Sequence, residues 1–230
     1  MTIKAIILDL DGTIATFNLD YKALRGEVRG YLINMGIPAS LLAPNESIFE
    51  MLKKSELQMT NAGKSQELIK EVHENALSLA EKYETEAAEQ TSLLPGAIET
   101  LKALRKMGYK IGLCTINGEK STMHILERFK LSEYFDAVTS RNRVTQVKPH
   151  PEHCEASLKS LDVKAAEAVV VGDSVSDMQG AKELKAIAVG LPTGVSSQEQ
   201  LVNNGANYII TSIIDLPLLV DCINKSENNQ

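Results

Sequence analysis

Two aspartates that directly follow an apolar run, in Asp9-Leu10-Asp11-Gly12-Thr13, form the pattern in this sequence best suited to chemistry. Residues two apart on an extended chain point to the same side, so both carboxylates converge at the end of the run Ile3-Lys4-Ala5-Ile6-Ile7-Leu8. The fixed letters of D-x-D-G-T recur by chance about once in 10⁵ start positions, which makes an accidental match in one chain improbable. A second apolar run, Val169-Val170-Val171, opens into Gly172-Asp173-Ser174-Val175-Ser176-Asp177 and delivers two more carboxylates. Two other runs end in polar groups of a different kind. Thr115 and Asn117 follow Ile111-Gly112-Leu113-Cys114, and Lys148-Pro149 lies beyond Ala137-Val138-Thr139. Pro149 disfavours helix at Lys148, so the lysine is expected in an extended turn before a helix that begins near Pro151.

If these runs are parallel strands, their ends supply one crevice, because open α/β sheets bind ligands outside the carboxyl ends of their strands. Carboxylates in this number suit a hard cation with oxygen ligands. Mg²⁺ is the natural occupant, since it keeps several waters and needs few protein oxygens. With Lys148 and the Thr115 hydroxyl, such a site binds a phosphate and stabilises its oxygens during transfer. His150 and His153 flank Pro151 but lie outside metal-ligand spacing with the acids, so a surface or helix-start place is expected for them. Arg25 and Arg29, one helical turn apart, form a solvated pair or touch substrate.

The elements that must position these groups alternate along the chain. Strand-like runs at Lys110–Cys114, Ala137–Thr139, Ala168–Val171, Ala186–Val189 and Asn207–Ile210 alternate with helix-period stretches. The stretches are Ala97–Met107, Lys120–Phe129, Pro151–Ser160, Ser176–Leu184 and Ser197–Val202. This alternation predicts an α/β fold with a parallel sheet. Gly108 and Gly205 stand where helices should stop. The interval from Ile14 to Leu93 differs, being free of strand-like runs and rich in Glu, Lys, Leu and Ala at helical spacing. It reads as an all-helical insertion, with a first helix near Asp20–Met35, a break at Pro38, Pro44 and Asn45, and a long polar helix over Lys64–Thr91. Pro95-Gly96 marks the return, and the polar tail Asn224–Gln230 is expected to fray.

Composition narrows the classes. A length of 230 residues allows either one large domain or a core with an insertion, and 43% hydrophobic with 23% charged residues is ordinary for a globular chain. Lys plus Arg number 24 against 30 Asp plus Glu, a net charge of −6 that gives no basic footprint for nucleic acid. Cys114, Cys154 and Cys222 have neither zinc nor disulfide-framework spacing and are read as reduced thiols. The first apolar run meets Asp9 too soon for a signal peptide, and Tyr208–Ile223 is interrupted by Asp215, Pro217 and Asp221. A cytoplasmic protein with no membrane partner is expected.

The motifs at Asp9/Asp11, Thr115, Lys148 and Asp173/Asp177, in this order, resemble the haloacid dehalogenase (HAD) superfamily. The similarity is to its phosphatase branch, with phosphoglycolate phosphatase-like enzymes nearest. It covers Ile3–Thr13 and about Leu94–Asp215. The resemblance implies a doubly wound, Rossmann-like core of residues 1–13 and 94–230 with a helical cap of residues 14–93 that closes the active site and selects the leaving group. It makes Asp9 the nucleophile that forms an aspartyl-phosphate and Asp11 the general acid/base. Thr115, Asn117 and Lys148 then bind the substrate phosphate. Mg²⁺ would rest on the Asp9 carboxylate, the Asp11 backbone carbonyl and Asp173, with Asp177 behind them. The dehalogenase branch lacks the acid at the Asp11 position, because a halide leaves without a proton, so Asp11 favours phosphoryl chemistry. Two departures stand out: Ile116 separates Thr115 from Asn117, which the family often places side by side, and Ile14-Ala15-Thr16-Phe17-Asn18 replaces a common apolar residue and Asp-Ser pair. The expected function is Mg²⁺-dependent hydrolysis of a small phosphomonoester. A sugar phosphomutase and a non-catalytic regulatory protein of the same fold are the alternatives.

Overall fold

Ala5–Leu8, every residue of it buried, forms β1, as an apolar run covered on both faces should. The computed structural model describes residues 2–227. These divide into two compact units: one of residues 2–18 with 90–227, the other of Leu19–Glu89.

The second unit holds helices α1 (Tyr21–Asn34), α2 (Ile48–Asn61) and most of α3 (Gln66–Gln90). Local signals set their starts. Asp20 caps α1 by accepting the Ala23 N–H, and Ser47 with Glu50 forms a reciprocal capping box on α2. On α3, Ile69, Val72, Ala76 and Ala80 recur every three or four residues and face a core made with Leu24, Val28, Leu32 and Met51.

The first unit continues with α4 (Ala97–Lys106), β2 (Lys110–Cys114), α5 (Glu119–Arg128), β3 (Ala137–Thr139), α6 (Pro151–Leu161) and β4 (Ala168–Gly172). It ends with α7 (Val175–Leu184), β5 (Ile187–Gly190), α8 (Gln198–Asn203), β6 (Tyr208–Ile209) and α9 (Leu216–Glu227). Six strands form one parallel sheet in the order β3-β2-β1-β4-β5-β6. This is the doubly wound α/β arrangement, and its strand order reverses between β1 and β4, where such sheets open a crevice. Leu8 pairs with Leu113 on one side and Val171 on the other, so the residues that follow β1, β2 and β4 emerge at one edge. One face of the sheet packs Ile7, Cys114 and Val170 against Cys154 and Leu158 of α6 and Met178 and Ala181 of α7.

Several boundaries differ from those read in the sequence. Residues 14–18 and 90–93 stay with the α/β unit, because the outgoing and returning chains run side by side: Leu94 N–H donates to Ile14 O at 2.9 Å and Thr16 N–H to Ser92 O at 2.8 Å. Asn224 lies in α9 rather than in a frayed tail. Its Oδ1 accepts the Ile3 N–H at 2.7 Å, and its Nδ2 donates to Tyr109 Oη at 2.8 Å. The rest of that expectation, residues 228–230, lies outside the described residues. Pro217, one of the residues that interrupt the apolar stretch Tyr208–Ile223, sits in the first turn of α9, where its missing N–H costs nothing. Among the described residues no helix is long and apolar enough to cross a membrane.

Candidate active site

Asp9 extends the β1 ladder by one step, its N–H donating to Val171 O at 2.9 Å, and so stands at the rim of the crevice. Lys148, 139 residues away in sequence, reaches it from the turn before α6: Nζ donates to Asp9 Oδ1 at 2.7 Å, Asp177 Oδ1 at 2.5 Å and Cys114 O at 2.8 Å. The Lys148 side chain is 2% exposed, so these bonds replace nearly all of its hydration. Asp173 follows β4 directly. Asp9, Asp173 and Asp177 each present an oxygen within 4.8 Å of the others.

Each acid is aimed by its neighbours. Asp177 belongs to the first turn of α7 and forms a capping box with Ser174, whose N–H donates to Asp177 Oδ2 at 3.2 Å while Asp177 N–H returns to Ser174 Oγ at 3.3 Å. Its other oxygen is left for Lys148. Asp173 Oδ2 accepts the Val195 N–H at 2.7 Å from the loop after β5. That loop can close in only because position 194 is glycine: a Cβ there would lie 1.9 Å from Asp173 Oδ2. Gly12 turns the chain after Asp11 at φ +78°, a conformation that L side chains rarely adopt.

Three carboxylates face one ammonium here, and the balance shows in their titration. Burial holds the Asp9 carboxyl well above the usual range; Lys148 pulls it down, while Asp177 and Asp173 push it up again. Burial and the Asp177 charge raise Asp173 to about 6 against the pull of the Val195 N–H and Lys148. For Lys148, burial works against the charge, but Asp177 and Asp9 outweigh it and raise the pKa well above the ordinary lysine value. An excess of buried negative charge with oxygen-only donors is the environment that a hard divalent cation neutralises, so the donor set fits Mg²⁺.

The remaining sequence candidates fall into place less uniformly. Thr115 is buried at the end of β2, with its N–H on Thr139 O at 3.0 Å and its Oγ1 accepting the Asn117 N–H at 3.2 Å. Asn117, expected on the substrate phosphate, directs Nδ2 to Asp11 Oδ2 instead. His150 caps α6 through Nδ1, as a helix-start residue does, whereas His153 is fully buried and belongs neither to the surface nor to a cap. Arg25 donates to Tyr21 O and Asn45 O, and Arg29 to Leu42 O and Ala39 O; both tie α1 to its own following loop. Sequence reading passed over Ser174, Gly194 and Val195. A Ser three residues before Asp177 was a legible capping signal, but the close approach of Gly194 to Asp173 leaves no local trace.

The doubly wound sheet thus gathers an aspartate pair, a buried lysine and two further acids at its switch point. The chain matches the model of the haloacid dehalogenase-like hydrolases over residues 6–190, and it belongs to that family. It is 28% identical to the pyrophosphatase PpaX of Bacillus anthracis (strain A0248) over 98% of this chain and all of that one. Among solved structures, a predicted phosphoglycolate phosphatase from Haemophilus somnus 129pt superimposes with a TM-score of 0.65 at 20% identity, covering 95% of this chain and 98% of its own. A β-phosphoglucomutase from Clostridium difficile reaches a TM-score of 0.67 at 22% identity, covering 99% of both chains. At these identities the two structures share the fold.

Proposed function

We propose that this enzyme hydrolyses a small phosphate compound through a phosphoryl group carried on Asp9. The observation that supports the reading most is the Lys148 ammonium set between Asp9 and Asp177 at 2.7 and 2.5 Å, with Asp173 beside them. A carboxylate oxygen of Asp9 attacks phosphorus in line with the leaving oxygen, which takes a proton from Asp11 as the bond breaks. Asp11, now ionised, takes a proton from the water that attacks the aspartyl-phosphate, which releases inorganic phosphate and restores both aspartates. The Asn117 amide donates to Asp11 Oδ2 and so helps to fix that carboxyl. Lys148 and Thr115 hold the phosphoryl oxygens. Mg²⁺ would be held by the carboxylates of Asp9 and Asp173 and the Asp11 carbonyl, where it supplies positive charge to the transferring phosphoryl group.

The similarity to a pyrophosphatase along the whole chain places pyrophosphate beside small phosphomonoesters as a substrate to test first. Purified protein with Mg²⁺ is offered pyrophosphate, phosphoglycolate, sugar phosphates, nucleotides and pyridoxal phosphate, and released phosphate is measured. Turnover of at least one is expected, with Asp9→Asn lowering kcat by about 10³-fold or more. Isomerised hexose phosphate in place of free phosphate means a mutase. No turnover across the panel, with Asp9→Asn indistinguishable from the parent, overturns the proposal.

A further inference from the structure

Beneath the Lys148 turn lies a histidine that the mechanism above does not use. His153 occupies the inner face of α6 beside Cys154 and is fully buried. Its Nδ1 accepts the backbone N–H of Lys148 at 3.3 Å, and its Nε2 lies 3.2 Å from the carbonyl oxygen of Thr139. A ring nitrogen that accepts an N–H carries no proton of its own, so the ring is neutral with its proton on Nε2, directed at the carbonyl. The same Thr139 oxygen accepts the N–H of Thr115 at 3.0 Å, and Ser157, one turn along α6, donates from Oγ to Thr139 Oγ1 at 2.8 Å. Thr139 ends β3, a strand of three residues at the edge of the sheet, so its place depends on what holds it from α6.

We infer that His153 is the positioning residue that holds Lys148 and Thr115 in one frame. One ring nitrogen fixes the backbone from which the Lys148 side chain enters the crevice. The other fixes the carbonyl on which Thr115 hangs. Lys148 and Thr115 arrive from different segments of the chain, and the planar ring spans the gap at set distance and angle. A buried imidazole is costly unless both its nitrogens are satisfied, and here both are. The inference rests on the proposal that Lys148 and Thr115 handle phosphate.

The ring separates its two duties by atom, and substitution can too. In His153→Asn, Oδ1 stands where Nδ1 stood and still accepts from Lys148. His153→Gln reaches the Nε2 position but leaves the Lys148 N–H without its partner, and His153→Leu fills the space with neither bond. In variants shown to be fully folded by circular dichroism, kcat is expected to fall about tenfold or more for Leu and for Gln, and the inhibition constant for inorganic phosphate to rise about tenfold for Leu. Asn, which keeps the Lys148 bond and loses the one to Thr139, should fall between the parent and Leu on both readouts; misplacing a reacting group by an ångström is enough for such losses. Folded Asn and Leu variants that are equally active, or equally impaired, overturn the inference. Independently of turnover, the ¹⁵N shifts of His153 in the parent protein should report the neutral Nε2–H form, and a proton on Nδ1 overturns it. A parent protein inactive across the substrate panel is the separate failure of the proposed function, and it overturns the phosphate role on which this inference builds while the ring's tautomer still reports its placement.

Discussion

Charge is used in opposite ways in the two units. In the helical unit Arg25 and Arg29 keep their guanidinium groups at or near the surface and donate to carbonyls of one loop, while the core is built of Leu, Ile, Val, Met and Ala, with Glu84 buried on α3. In the α/β unit the charges that matter are inside: Asp9, Asp173, Asp177 and Lys148 are each less than a tenth exposed. Burying a charge costs several kcal/mol unless partners and hydrogen bonds repay it, so a fold gathers four only where chemistry requires them. Arg25 and Arg29 show the converse: basic residues at one-turn spacing can serve backbone geometry alone.

The sharpest way to break this contrast is to remove the ammonium from the buried set. Lys148→Met leaves Asp9 and Asp177 without their cation, and stability measured by denaturant unfolding should fall by about 3 kcal/mol, with turnover lost. An unchanged midpoint would show that the acids are not held by that charge. Next comes the support of Asp173. Gly194→Ala places a methyl against Asp173 Oδ2, and the Mg²⁺ concentration for half-maximal effect should rise about tenfold, read by calorimetric titration as well as by turnover. The smallest effect belongs to the helical unit. Arg29→Met forfeits bonds to Leu42 O and Ala39 O, and about 1 kcal/mol of stability should go while kcat stays within about twofold. A folded Arg29→Met protein with strongly reduced turnover would move that arginine from scaffold to site.

Much of the architecture was open to reading because it is written locally. Apolar runs of four or five residues, interrupted by helical period and stopped by Gly108 and Gly205, give the alternation that becomes a parallel sheet. The acids at the ends of β1 and β4 were legible for the same reason: position after a strand is a sequence property. Helix α2 was not separated out, although Ser47 and Glu50 announce its start, and α9 was not singled out, although Pro217 is compatible with a first turn. His153 stands at the helix start where it was expected, but its burial was not legible, because a histidine in a first turn carries no local mark of packing.

The sequence by itself determined which groups stand at which strand ends: two carboxylates after β1, two after β4, a hydroxyl after β2 and a lysine held out of helix by Pro149. Only the tertiary structure decided which of them meet. Lys148 lies between Asp9 and Asp177, Asn117 is turned to Asp11, and His153 is brought under Lys148 and Thr139, across separations of 139, 29, 106, 5 and 14 residues. The physical reason is that the energy and protonation of a buried charge depend on its distance to other charges and on the water it has lost, and both are properties of the packed arrangement rather than of the residue.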